Sequence, residues 1–294
     1  MSRKTGPDPT VHHADKARMQ LTVSGQRCRL GTGGQRFDPA CSRWPPLLLI
    51  HGAANDRDAW QQVAGGLAAA GCAVLVPDLP GHGLSSGPPL RSIEALADWL
   101  PRLLDVAAVE QAILVGHSMG SLIALECAAR HPQRVHRLAL LGSSAPMPVA
   151  EALLGRAATH PDSVLRMINE YSLTRQFQLS GGTGHGIWGP GVTLAIMRRS
   201  PPGTLAIDLA NCNNYARGLE AAAQVSCPTL LLVACRDRMT PRRNLPALQS
   251  ALRQVLRAEI PDCGHAMMNE QPQAVVEQLL SFLASPADTA GQGR

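Results

Sequence analysis

Aromatic side chains are scarce in this chain of 294 residues: three Phe, two Tyr and four Trp make up 3% of it. That scarcity excludes the stacking platforms on which single-stranded nucleic acids are held. Lysine is nearly missing too, with two against 25 arginines. The arginines are scattered, with only short pairs such as Arg198-Arg199 and Arg242-Arg243. The formal charge of +5 therefore reads as a solvated surface, not as the clustered basic face of a nucleic-acid binder. No run of 18 or more apolar residues is free of polar interruption. The longest candidate, Ala112 to Ala129, contains His117, Ser118 and Glu126, which argues against a membrane span. The polar stretch Met1 to Gln20 lacks the apolar core of an export signal, so a cytoplasmic protein is expected. None of the eight cysteines forms a C-x-x-C pair or a metal-ligand cluster. Reduced thiols and no metal are the corresponding expectations.

What the chain does have is a series of short apolar runs separated by helix-like segments. With 45% hydrophobic residues it can bury one sizeable core plus a smaller cap. Met19 to Leu30 reads as two strands around Ser24-Gly25-Gln26, followed by the glycine-rich loop Gly31 to Gly34. Leu47 to Ile50, Ala73 to Val76, Ile113 to Val115, Leu138 to Leu141 and Thr229 to Val233 are continuous apolar runs, as expected of strands buried on both faces. Helices are expected over Trp60 to Ala70, over Ser92 to Val106 with Ser92 as N-cap, and over Ser118 to Arg130. This alternation predicts a mostly parallel sheet with helices on both faces, and ligands at the carboxyl ends of its strands. Between about Ser143 and Tyr215 the alternation stops, and a mainly helical cap is expected there. The resulting division is a flexible tail over 1–18, a core over 19–142 and 215–285, a cap over 143–214, and a second flexible tail over 286–294.

Three loops then carry the chemistry. Gly116-His117-Ser118-Met119-Gly120 directly follows one apolar run and directly opens a helix. A serine on so sharp a strand-to-helix turn projects its hydroxyl above the sheet, and only glycine or another small residue fits two positions to either side. Serine needs a base and the base an orienting acid. Asp237 lies in the loop after Thr229 to Val233, and His265 in the loop after the segment Arg253 to Ile260. Asp262, three residues before His265, is the competing acid.

These motifs, with His51-Gly52 and Asp78-Leu79-Pro80-Gly81-His82-Gly83-Leu84-Ser85, occur in the order found in the α/β-hydrolase fold superfamily. The chain resembles its capped serine-hydrolase branch over residues 19 to about 284. The resemblance implies Ser118, Asp237 and His265 as the catalytic residues, with the backbone N–H groups of Ala53 and Met119 as the oxyanion hole. Ala54 is the alternative donor to Ala53. It also implies no cofactor and a small-molecule substrate. The second acid position of the superfamily falls on Gly142-Ser143-Ser144, which leaves Asp237. A serine at the elbow sets the chain apart from epoxide hydrolases and haloalkane dehalogenases, which carry Asp there.

A carboxylesterase for a small or medium, largely apolar ester is the first expectation. Its alternatives are a C–C bond hydrolase of a ring-cleavage diketone acid, a cofactor-free perhydrolase, and a non-catalytic receptor on the same fold. A C–C hydrolase would need a cationic clamp, for which Arg175, Arg198 and Arg199 are available. Met147, Leu153, Leu154, Met167, Ile168, Phe177, Trp188, Leu194, Ile196 and Met197 are available for an apolar pocket. His185 in the cap is a further candidate to reach it, whereas His51 and His82 are expected to brace loops. The sequence leaves the oligomeric state open.

Overall fold

Eight strands form one sheet in a computed structural model that describes residues 18–180 and 188–286. They are β1 (Arg18–Val23), β2 (Gln26–Gly31), β3 (Leu47–Ile50), β4 (Val74–Pro77), β5 (Ala112–His117), β6 (Val135–Leu141), β7 (Thr229–Ala234) and β8 (Val255–Ile260). Their order is β1-β2-β4-β3-β5-β6-β7-β8. The hairpin β1–β2 and the pair β2–β4 are antiparallel, and every pairing from β4 to β8 is parallel. The sheet is thus the mostly parallel α/β-hydrolase arrangement expected. The pattern of buried apolar runs announces neither the antiparallel pairing of the β1–β2 hairpin onto β4 nor the half-exposed edge strand β8.

The apolar runs are continuous because both faces of the central strands are covered. Twelve α-helices are described: α1 (Gln61–Ala69), α2 (Ile93–Val106), α3 (Met119–Arg130), α4 (Glu151–Thr159), α5 (Pro161–Ser172), α6 (Arg175–Ser180), α7 (Gly189–Met197), α8 (Thr204–Asn214), α9 (Gly218–Gln224), α10 (Leu245–Ala251), α11 (Met267–Glu270) and α12 (Pro272–Ala284). Successive residues of β3 go to opposite layers. Leu48 and Ile50 join α2, α3, α9 and α10 in one core, and Leu47 and Leu49 join α1, α11 and α12 in the other. Ser92 caps α2 as its sequence predicts, accepting from Ala95 N–H at 3.1 Å.

Between β6 and β7 the described residues hold six helices, α4 to α9, and no strand. Of these, α4, α5, α7 and α8 share a small core of their own, in which Ala157, Val164, Leu165, Met197, Leu205 and Leu209 surround Ala54 from the loop after β3. The expected tails fall almost wholly outside the described residues, and so do Gly181 to Gly184 and His185. No helix among the described residues is long and apolar enough to cross a membrane.

The topology fixes where chemistry can occur. β3 lies between β4 and β5, so the chain leaves it toward one edge and returns on its other side. The loops after β3 and β5 face each other across that switch, outside the carboxyl ends of the strands.

Candidate active site

Ser118 links β5 to α3 with φ 53° and ψ −120°, a strained backbone for a residue with a side chain. Close packing around it shows why the flanking glycines are needed. A Cβ on Gly116 would lie 2.1 Å from the Gly120 carbonyl oxygen, and one on Gly120 would lie 2.3 Å from that of Ile50. The turn is pinned by Ser118 N–H donating to the Leu141 carbonyl at 3.0 Å. Ser118 is only partly buried and faces a cleft.

His265, in the loop between β8 and α11, lines the same cleft. Its Nδ1 donates to Asp237 Oδ2 at 2.8 Å, and both side chains are buried. Asp237 is fully engaged. Its Oδ1 accepts the amides of Met239 (2.7 Å) and Thr240 (2.8 Å), and its Oδ2 also accepts the Thr240 hydroxyl at 2.7 Å. Burial opposes the charge of Asp237, but the His265 imidazole and the Thr240 donors outweigh it and hold the carboxyl well below its usual range. Asp237 thus stays an acceptor, which keeps the His265 proton on Nδ1 and leaves Nε2 as the basic nitrogen. No hydrogen bond joins the Ser118 hydroxyl to His265 among those of the described residues.

The competing acid lies elsewhere: Asp262 is exposed and pairs with Arg236. Nor is there room for an acid after β6. Gly142 has φ 55°, and a Cβ there would lie 3.0 Å from His265 Nδ1 and Cε1.

Three contacts steady the His265 loop. His117 Nε2 donates to the His265 carbonyl at 2.9 Å, with the two rings 4.6 Å apart. Burial holds His117 neutral, with its pKa lowered to about 3. The buried Glu270 carboxylate accepts Gly264 N–H and Thr174 N–H, each at 3.1 Å. Ala266 N–H donates to the Ser172 carbonyl at 2.9 Å. Sequence reasoning missed Thr240, Glu270 and this role of His117. Only Thr240, three residues beyond Asp237, had a local signal, as the donor of a side-chain turn.

Across the cleft lies the loop after β3. Gly52 packs on Ser118, where a Cβ would come 3.1 Å from the serine Cβ. The N–H groups of Ala53 and Met119 meet no acceptor among the described residues. Ala54 differs, because its N–H donates to Asp208 Oδ2 at 2.8 Å. The Asp78 motif shapes the neighbouring loop. The fully buried Asp78 accepts Arg57 N–H (2.9 Å) and Leu84 N–H (2.8 Å) and pairs with the Arg57 guanidinium. His51 and His82 do brace loops: His51 Nδ1 donates to the Gly52 carbonyl at 2.9 Å, and Nε2 accepts Leu79 N–H at 3.2 Å.

The cleft encloses about 890 Å³ including its mouth. Met147, Ile168, Ile196 and Met197 line it as expected, with Asn169, Ser172 and Thr193 among its polar members. Leu153, Leu154 and Leu194 pack into the core of the inserted helices instead, and Trp188 is exposed. The three arginines of the expected clamp do not line it. Arg198 pairs with Asp162, Arg199 with Asp56 and Asp58, and Arg175 is exposed. Among the described residues no three His, Cys, Asp or Glu side chains converge as metal ligands.

Comparison with known proteins agrees with this architecture. The chain is 30% identical over 265 residues to the pimeloyl-(acyl-carrier protein) methyl ester esterase of Chromobacterium violaceum, spanning 85% of this chain and 99% of that one. It is 34% identical over 139 residues to a 2-hydroxymuconate semialdehyde hydrolase from a Pseudomonas species, covering 46% of each. Among solved structures, a thermophilic esterase from Thermogutta terrifontis superposes with a TM-score of 0.74 at 25% identity, over 90% of this chain and 97% of that one. The family model of the alpha/beta hydrolases matches residues 47–278. The chain belongs to the alpha/beta hydrolase family.

Proposed function

We propose that this protein is a serine esterase that hydrolyses small to medium, largely apolar carboxylic esters through an acyl-enzyme. The observation that carries the reading is that Ser118 on its strained turn, His265 held by Asp237, and Ala53 all line one cleft, with the amides of Ala53 and Met119 meeting no acceptor among the described residues. Ser118 Oγ attacks the ester carbonyl while His265 Nε2 takes its proton. Asp237 holds the imidazole tautomer and stabilises the imidazolium. The Ala53 and Met119 N–H groups bind the tetrahedral oxyanion, each contributing roughly 3–4 kcal/mol. The proton then passes from His265 to the departing alkoxide. Water, deprotonated by the same nitrogen, releases the acid from Ser118. Ala53 is the better donor of the two alanines, because the amide of Ala54 is already engaged by Asp208.

The substrate class follows from the lining. Ala53, Met147, Val149, Ile168, Ile196 and Leu209 present apolar surface, and no Arg or Lys is among the lining residues described. A neutral ester with an apolar acyl group suits such a cleft, and the esterase names of the relatives support ester cleavage. The local likeness to the semialdehyde hydrolase suggests C–C cleavage instead, but the cleft offers no described cation for the carboxylate of such a substrate. Residues 143–214 act as the cap that shapes this cleft over a core of 19–142 and 215–285. A cytoplasmic, reducing compartment suits eight cysteines that are all free thiols. The expected partner is a small-molecule substrate, and nucleic acid is not expected.

A panel of p-nitrophenyl and methyl esters of graded acyl length, with a vinylogous diketone acid beside them, tests the reading. Turnover of the esters with little on the diketone acid is expected. Faster cleavage of the diketone acid would overturn it.

A further inference from the structure

Ala54 is an alanine in a glycine-like conformation, with φ 54°, and is fully buried. Both of its backbone polar groups are held by side chains of the inserted segment, one on α8 and one in the turn before it. Asp208 Oδ2, on α8, accepts its N–H at 2.8 Å, and the Ser200 hydroxyl donates to its carbonyl at 2.8 Å. The same Asp208 oxygen accepts His82 Nε2 at 2.9 Å, while His82 Nδ1 donates to the Pro80 carbonyl at 3.0 Å. Since both ring nitrogens face acceptors, His82 carries the proton and the pair is ionic. Burial opposes that charge, but the Asp208 carboxylate outweighs it and raises the His82 pKa. Asp208 Oδ1 is buried with no partner among the described residues.

A buried carboxylate with one oxygen unsatisfied is a costly way to fill space, so packing alone does not account for it. Its neighbours on α8 point to an orienting task. Thr204, Asp208 and Asn211 share one helix face by their spacing. All three are buried, and each bonds a core loop: Thr204 to the Gly81 carbonyl at 3.2 Å, and Asn211 to the Leu90 carbonyl at 2.9 Å. This polar stripe fastens α8 to the core, and Asp208 is its link to the oxyanion loop. Peptide planarity makes that link matter. Fixing Ala54 N–H fixes the Ala53–Ala54 plane, and His51 fixes the Gly52–Ala53 plane through the Gly52 carbonyl. Only the two dihedrals of Ala53 lie between them, so the direction of Ala53 N–H is set from both sides.

We propose that Asp208, though carried by the inserted segment, is a positioning residue for the oxyanion-binding amide of Ala53. The inference rests on the serine-esterase reading given above. Its test compares an aryl ester with the corresponding thionoester, whose sulfur is a poor acceptor for the oxyanion amides. In Asp208→Ala the oxo-ester kcat should fall about 10- to 100-fold, up to the lower end of a full donor deletion, with KM within about twofold. The thionoester rate should change much less, so the oxo-to-thiono ratio collapses. Asp208→Asn keeps an acceptor for Ala54 N–H and should return most of the oxo-ester rate. If Asp208→Ala does not fold, Ser200→Ala decides, with a smaller loss of the same selective kind. Equal losses on both esters, or a folded Asp208→Ala enzyme with unchanged kcat, would overturn the proposal. Hydrolysis that survives Ser118→Ala would instead sink the esterase reading beneath it.

Discussion

Replacing Asp237 by Asn should nearly abolish turnover while leaving the fold intact, and the hydrogen bonds say why the two effects separate. The Asn carbonyl oxygen can still accept the amides of Met239 and Thr240, which Asp237 Oδ1 accepts at 2.7 and 2.8 Å. Its NH₂ group can donate to the Thr240 hydroxyl in place of the bond accepted there now. The count of satisfied groups is preserved, so stability should change by no more than about 1 kcal/mol. The same NH₂ now faces His265 Nδ1, which must become an acceptor, and the imidazole proton moves to Nε2. A protonated Nε2 cannot take the Ser118 proton. The expected loss in kcat is about 10³- to 10⁴-fold, or roughly 4–5.5 kcal/mol of transition-state stabilisation. Asp237→Ala should behave differently, because it strands the Met239 and Thr240 amides and destabilises by about 1–3 kcal/mol for a buried one. Initial rates on a p-nitrophenyl ester near pH 8, paired with urea denaturation of both variants, give the comparison. An Asn variant within about tenfold of the parent kcat, or one as unstable as the Ala variant, would refute the reasoning.

Three further outcomes are expected. His117 is neutral in the fold down to about pH 3, whereas an unfolded imidazole protonates near 6.5; the unfolded chain therefore binds the extra proton, and stability falls as pH drops through that window. At about pH 5 this contributes on the order of 2 kcal/mol of destabilisation. His117→Gln, which retains a donor for the His265 carbonyl, should flatten the acid dependence of the urea midpoint, and a midpoint that falls as steeply as the parent's counts against it. Gly142→Ala places a Cβ 3.0 Å from His265 Nδ1 and Cε1 in a left-handed backbone, so kcat should drop at least about tenfold with stability lowered by about 1–2 kcal/mol; full activity in steady-state assays would reject that packing. Gly120→Ala sets a Cβ 2.3 Å from the Ile50 carbonyl oxygen and should cost more than about 4 kcal/mol, visible as lost near-ultraviolet circular dichroism; a native-like spectrum and melting temperature would contradict it.

The sheet was legible because its central strands are buried on both faces, which forces runs such as Leu47 to Ile50 and Leu138 to Leu141 to be apolar throughout. The antiparallel edge was harder to place. Pairing of β2 with β4 depends on which edge the hairpin reaches, and no local residue encodes that. Of the candidate site, the placing of Ser118, Asp237 and His265 was legible because each sits in a loop directly after a strand. What escaped were partners joined only by tertiary contact. Asp208 meets Ala54 across 154 positions of chain, and His117 meets the His265 carbonyl across 148. A lone Asp within a helix, or a His beside a serine, carries no trace of so distant an acceptor. The arginines illustrate the converse. Arg198 and Arg199 were available as a clamp by composition, but acidic neighbours hold both of them away from the cleft.

The central claim is that Ser118 is a nucleophile activated by His265. Reaction with a fluorophosphonate probe, followed by peptide mass spectrometry, tests it most directly. The account predicts a single adduct on Ser118, no labelling in Ser118→Ala, and labelling slowed by at least about 10³-fold in His265→Ala. An adduct on another residue, or a Ser118 that labels equally fast without His265, would contradict it.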